Sequence, residues 1–280
     1  MIKAGPASGN FAGLSLEKPR IFGIINVTPD SFSDGGEALA AEDALSRGKA
    51  MLAAGADVLD VGGESTRPGA KPVGIDEEIT RVEPVIKALA ETGALVSIDT
   101  RHAPVMEAAI EAGARIINDV TALTHDPESL GLAVASGLPV ILMHMLGEPG
   151  TMQDDPHYED AALEVFSYLK DRVAACVAAG MDPANIAVDP GIGFGKTLDH
   201  NLDILSRLDL YSGIDCPILL GASRKSFIGK LSGEDAPKDR VPGSLAAVLA
   251  AVEQGVRMFR VHDVAETRQA LTVWQAIEKK

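Results

Sequence analysis

A chain of 280 residues with 46% apolar but only 4% aromatic side chains can close one large core of small branched residues. Its 25 Lys and Arg against 40 Asp and Glu leave a formal charge of −15, which repels nucleic acid and anionic membranes, so an anionic substrate has to be drawn by a few local cations, a helix terminus or a metal. Cys176 and Cys216 show neither C-x-x-C nor zinc spacing, and no apolar run reaches bilayer length, so the expectation is a reduced cytoplasmic protein without a secretory or spanning segment.

Residues 1–20 precede the first strand pattern and are expected to form a short β-hairpin plugging one end of the fold. From there, eight short β-branched runs cover residues 21–27, 58–61, 95–98, 115–118, 140–143, 186–188, 218–220 and 258–261. Each is followed by a stretch whose apolar residues recur at three and four, the spacing of an amphipathic helix. Gly113, Gly137, Gly180 and Gly255 fall where such helices would end in a left-handed cap. No linker or shift of composition divides the chain, so residues 21–280 read as one (β/α)₈ TIM barrel, with an open doubly wound sheet as the rival.

In a (β/α)₈ barrel chemistry collects where the strands end, and the polar, glycine-rich strings of this chain stand there. Strand one runs into Asn26-Val27-Thr28-Pro29-Asp30-Ser31, and strand two into Gly62-Gly63-Glu64-Ser65-Thr66-Arg67-Pro68-Gly69. Strand three ends in Asp99, strand four in Asn118-Asp119, strand five in Met143-His144-Met145, and strand six in Asp189-Pro190-Gly191-Ile192-Gly193-Phe194-Gly195-Lys196. Ser223-Arg224-Lys225-Ser226 follows strand seven, and Arg260-Val261-His262-Asp263 closes strand eight. The glycines of the first two strings, with Gly35 and Gly36, read as hinges of mobile loops, and residues 36–42 as an alanine-rich loop.

Asp99, Asn118 and Asp189 bring hydrogen-bond acceptors to one rim, Lys225 adds a cation, and Met143 and Phe194 offer apolar contact to a flat ring. Asn26, Arg260 and His262 sit on strands one and eight, neighbours once a barrel closes, near the place where such barrels hold phosphate. Plainer readings stand beside these: Asp189 as a turn cap, Met143 as core, His262 as a satisfied core histidine, Arg67 as a solvated charge. His144 divides evenly between structure and function. His102, His125, His157 and His200 read as solvated, and Lys196 and Arg224 take no assignment.

In this order and spacing the eight strings resemble the dihydropteroate synthase family over residues 20–275. The resemblance implies a pterin held by Asp99, Asn118, Met143, Asp189, Phe194 and Lys225, a diphosphate held by Asn26, Arg260 and His262, and Mg²⁺ on Asn26. It places 4-aminobenzoate against Thr66, Arg67, Pro68, Phe194 and Ser226, makes Asp99, Asp189, Lys225, Arg260 and His262 the catalytic set, and suggests a homodimer. The implied reaction joins (7,8-dihydropterin-6-yl)methyl diphosphate to 4-aminobenzoate. A corrinoid methyltransferase barrel would also explain Asp99, Asn118 and Asp189, but leaves Arg260, His262 and the Ser223-Arg224-Lys225 string idle. A Schiff-base aldolase needs a lysine within a strand, whereas Lys225 follows one. A non-catalytic pterin-binding paralogue would be expected to have lost Asp99, Asp189, Lys225 or Arg260, and all four are present.

Overall fold

The computed structural model describes residues 9–27, 36–65, 70 and 72–278, with the backbone alone for 36–40. Strands β1 (Asn10–Phe11) and β2 (Leu14–Ser15) pair antiparallel as a minimal hairpin whose two turn residues, Ala12 and Gly13, both take positive φ of 50° and 76°. That backbone matches the twist of the flanking strands, which is why so short a ladder closes.

The barrel follows in strict alternation: β3 (Arg20–Asn26), α1 (Gly36–Ala53), β4 (Val58–Gly62), α2 (Ile75–Glu91), β5 (Val96–Asp99), α3 (Ala103–Ala112), β6 (Ile116–Asp119) and α4 (Ser129–Ser136). The second half is β7 (Val140–Met143), α5 (Ala161–Ala178), β8 (Ile186–Asp189), α6 (Leu198–Ser206), β9 (Leu219–Leu220), an added short helix α7 (Ser226–Ser232), α8 (Val241–Glu253), β10 (Met258–Val261) and α9 (Val264–Glu278). All neighbouring barrel strands run parallel in the order β8-β7-β6-β5-β4-β3-β10-β9, and a parallel bridge from Val188 to Ile218 brings β8 back to β9. That closure rules out the open-sheet alternative.

Strand ends differ from the sequence reading by at most a residue, and β9 is the shortest barrel strand because Pro217, lacking an N–H, contributes to the ladder only through its carbonyl, accepting from Val188 N at 2.9 Å. The four expected helix caps all adopt positive φ, Gly113 at 118° and Gly180 at 107° among them. Two expectations are corrected. Residues 36–42 are helical, the first part of α1, as their alanine content favours. Gly63 is buried rather than loose: a Cβ there would stand 2.8 Å from Val82 Cγ1 and 2.9 Å from Glu78 Cγ, so its missing side chain serves close packing of β4 on α2.

The period of two along each strand sorts the core into layers. Outward side chains such as Ile25, Leu59, Val61, Ile98, Leu142 and Val261 pack beneath the helices. Inward ones near the strand starts, Phe22, Val58, Ile116, Ile141, Ala187, Leu219 and Met258, form a separate cluster with Phe11 and Leu16, which are 1% and 0% exposed. The N-terminal segment therefore plugs the barrel at the ends opposite the polar strings. Two residues further along the same inward face the apolar layer gives way to Asp60, Asn118, Asp189 and Arg260.

Candidate active site

That inward polar layer opens into a cavity at the C-terminal ends of the strands. Its walls are Ile24, Asp99, Asn118, Val120, Met143, Asp189, Phe194, Gly221, Ser223, Lys225, Arg260 and His262. Strand register does the gathering: Asn118 lies opposite Asp99, and Met143 opposite Asp189.

Charge in the cavity is arranged around Arg260. Its Nε donates to Asp60 Oδ2 at 2.5 Å and a terminal nitrogen to Asp99 Oδ2 at 2.7 Å, joining three strands. Asp60 is wholly buried and also accepts from Asn118 Nδ2 at 3.3 Å. Burial pushes the Asp99 carboxyl up to about 7, with the Arg260 guanidinium pulling it back and the neighbouring carboxylates adding to the rise. Asp189 is raised likewise by burial and lowered by Lys225. One of its oxygens caps the following turn, accepting from Gly191 N at 2.7 Å, and the other faces Gly221, where a Cβ would come within 3.6 Å. Lys225 holds its Nζ 4.2 Å from the centre of the Phe194 ring and donates to Ile192 O. Burial pushes this amine down to about 7 against the attraction of Asp189.

The loops bearing these groups are pinned by polar contacts that leave little slack. Lys196, 3% exposed, donates to His144 Nδ1 at 2.9 Å, Gly191 O at 2.9 Å and Phe194 O at 3.0 Å. Burial and the adjoining Lys196 push His144 down to about 2, so its neutral ring accepts from Lys196. Gly191 (φ 68°) crosses so close to His144 that a Cβ would lie 1.9 Å from its carbonyl oxygen. Arg101, 5% exposed, grips Glu64 at 3.1 and 3.3 Å and Glu148 at 2.7 Å, tying the loops after β4, β5 and β7 together. Arg224 pairs with Asp263 across the ends of β9 and β10. His200 completes a capping box with Thr197 at the start of α6, and His102 packs edge-on against His125.

A family model described as pterin binding enzyme matches residues 22–262. The chain is 48% identical over 267 residues to the dihydropteroate synthase of Neisseria meningitidis serogroup C, covering 94% of each protein. This chain belongs to the dihydropteroate synthase family. Among solved structures it is similar to the Xanthomonas albilineans dihydropteroate synthase with 4-aminobenzoic acid, at 47% identity and a TM-score of 0.90 over 96% of this chain and 97% of that one. The same organism's enzyme in complex with 7,8-dihydropteroate gives 44% identity and a TM-score of 0.87, covering 95% and 96%.

Of the positions a dihydropteroate synthase was expected to use, eight line the cavity: Asp99, Asn118, Met143, Asp189, Phe194, Lys225, Arg260 and His262. Asn26 ends β3 opposite Gly62, half-buried and outside the lining, and Ser226 is the exposed first residue of α7. Thr66, Arg67 and Pro68 lie outside the described residues. Sequence reasoning missed Asp60, although a charge inside the run Val58-Leu59-Asp60-Val61 was the available signal, since a buried strand carries a carboxylate only when something pairs with it. It also passed over Gly221 and gave Ser223 no role. Among the described residues no group of three or more His, Cys, Asp or Glu is placed to hold a metal.

Proposed function

We propose that this chain condenses (7,8-dihydropterin-6-yl)methyl diphosphate with 4-aminobenzoate, giving 7,8-dihydropteroate and diphosphate. The observation that carries this reading is one cavity lined by carboxylate and amide acceptors on β5, β6 and β8, by Lys225, by Arg260 on β10 and by His262 just after it. A pterin presents its 2-amino group and ring N3–H as a planar donor pair, which a carboxylate such as Asp189 accepts in two parallel bonds. Asn118 both gives and takes at neighbouring ring atoms, Lys225 donates to the ring carbonyl, and Met143 and Phe194 cover the faces.

In the reaction the methylene carbon–oxygen bond breaks with both electrons leaving on the diphosphate, the arylamine nitrogen forms the new carbon–nitrogen bond, and that nitrogen then gives up a proton. Arg260 and His262 stabilise the departing anion, while Asp99 and Asp189 stabilise positive charge spread into the dihydropterin. For 4-aminobenzoate, support comes from the resemblance at Thr66, Arg67 and Pro68, from Phe194, and from Ser226 directly after Lys225.

The Asn26 side-chain oxygen is a hard donor suited to Mg²⁺, and since no metal-holding cluster of His, Cys, Asp or Glu stands among the described residues, diphosphate oxygens and water would supply further ligands. When bound there, the ion offsets charge on the diphosphate. We also infer a homodimer, to be checked by light scattering, and cytoplasmic residence, in keeping with the buried free thiols of Cys176 and Cys216. No helix among the described residues is long and apolar enough to cross a membrane.

The deciding experiment mixes purified protein, pterin diphosphate, 4-aminobenzoate and magnesium and follows dihydropteroate by chromatography. Absence of product with folded protein, or methyl transfer from methyltetrahydrofolate instead, sinks the assignment. Diphosphate release without the amine is expected if departure precedes attack; an absolute need for the amine at that step argues for concerted displacement.

A further inference from the structure

The mechanism above leaves one buried hydroxyl without a task. Ser223 follows β9, is 7% exposed, and directs both of its side-chain hydrogen bonds to a single residue on the next strand. Its Oγ accepts from the backbone N–H of His262 at 3.2 Å and lies 3.0 Å from Nδ1 of the same histidine. A hydroxyl has one proton to donate, and a neutral imidazole offers one acceptor nitrogen. If Nδ1 carried the ring proton, the Ser223 oxygen would receive two donors while its own proton lacked an acceptor among the described residues. With Nδ1 bare, the Ser223 hydroxyl accepts from His262 N and donates to Nδ1.

We infer that Ser223 is a positioning residue that fixes the neutral ring of His262, which lines the cavity, as the tautomer protonated on Nε2. Two-point attachment to the backbone nitrogen and to Nδ1 also holds the ring plane, since rotation about either side-chain bond would break the second contact. A donor is the polarity that an anionic ligand oxygen requires, and a bare Nε2 would repel it. The consequence for catalysis rests on the reading of His262 as a diphosphate ligand; the tautomer itself does not.

The test uses full-length enzyme labelled with ¹⁵N-histidine, with two-bond ¹H–¹⁵N correlation spectra recorded at a pH where the ring is neutral. Six histidines are present, and His262 is assigned by its absence in His262→Gln. Wild type is expected to show an unprotonated Nδ1 and a protonated Nε2; the reverse pattern overturns the inference before any substitution is made. Ser223→Ala is expected to mix the two tautomers and to raise KM for the pterin diphosphate roughly five- to tenfold, the loss of part of a charge-assisted hydrogen bond, with KM for 4-aminobenzoate almost unmoved. Ser223→Thr, which keeps the hydroxyl, restores both. A Ser223→Ala spectrum identical to wild type, or equal shifts in both KM values, counts against a positioning role. Should His262→Ala leave the pterin diphosphate KM unchanged while the wild-type spectrum is as expected, the diphosphate reading falls and the tautomer assignment stands.

Discussion

Asp189 and Asp60 show how one residue type serves two ends in this barrel. Asp189 uses one oxygen on Gly191 N and keeps the other toward the cavity. Asp189→Asn retains an oxygen for the Gly191 bond, so the protein is expected to fold, but a charged acceptor for the pterin is lost and affinity should drop about ten- to a hundredfold by calorimetry. Unaltered pterin affinity would remove Asp189 from the site. Asp60, in contrast, lies behind the wall and holds Arg260 and Asn118. Its replacement by Ala leaves a guanidinium half-paired and an amide unmatched, for an expected loss of about 3 kcal/mol in urea unfolding. An unchanged midpoint would mean that Asp99 alone suffices to hold Arg260.

At the scale of elements, the contact of α2 with the end of β4 carries a charge that the fold does not neutralise. Glu78 on α2 is 0% exposed with Thr100 beside its carboxyl, and Glu64, Asp99 and Arg101 are the charged groups acting on it. Burial pushes its carboxyl from 4.5 up to about 7. Because the folded form holds the proton more tightly than the unfolded chain does, the contribution of Glu78 to stability is full below pH 4.5, falls as pH rises toward about 7, and is level above that. At roughly 1.4 kcal/mol per pKa unit the deficit approaches about 3 kcal/mol. Glu78→Gln, which does not titrate, should therefore gain on wild type through that window in thermal midpoints measured against pH; parallel curves would show that Glu78 is ionised in the fold at no cost.

Across the whole molecule, stability and chemistry sit at opposite ends of the same strands. Phe11 and Leu16 close the bottom among Phe22, Val58 and Met258, far along the strands from Asp189 and Lys225. Phe11→Ala is expected to cost about 3–5 kcal/mol in denaturant unfolding while kcat stays close to wild type below the transition. A matching fall in kcat at temperatures where the variant is folded would show that the two ends are coupled. Against a net charge of −15, the cavity wall carries the cations Lys225 and Arg260.

Strand periodicity and glycine caps pointed to the barrel, and the polar strings after the strands, read with the family resemblance, named eight residues that line its cavity, because the strand ends of a closed parallel sheet share one rim. Distances along the chain could not reveal that Asp60 and Arg260, 200 positions apart, would meet, that Lys196 would donate to His144 and Phe194, or that Ser223 would turn to His262. Those pairings depend on strand stagger and on which buried donors remain unsatisfied once the core has formed. Both are properties of the packed barrel, and no local pattern encodes them.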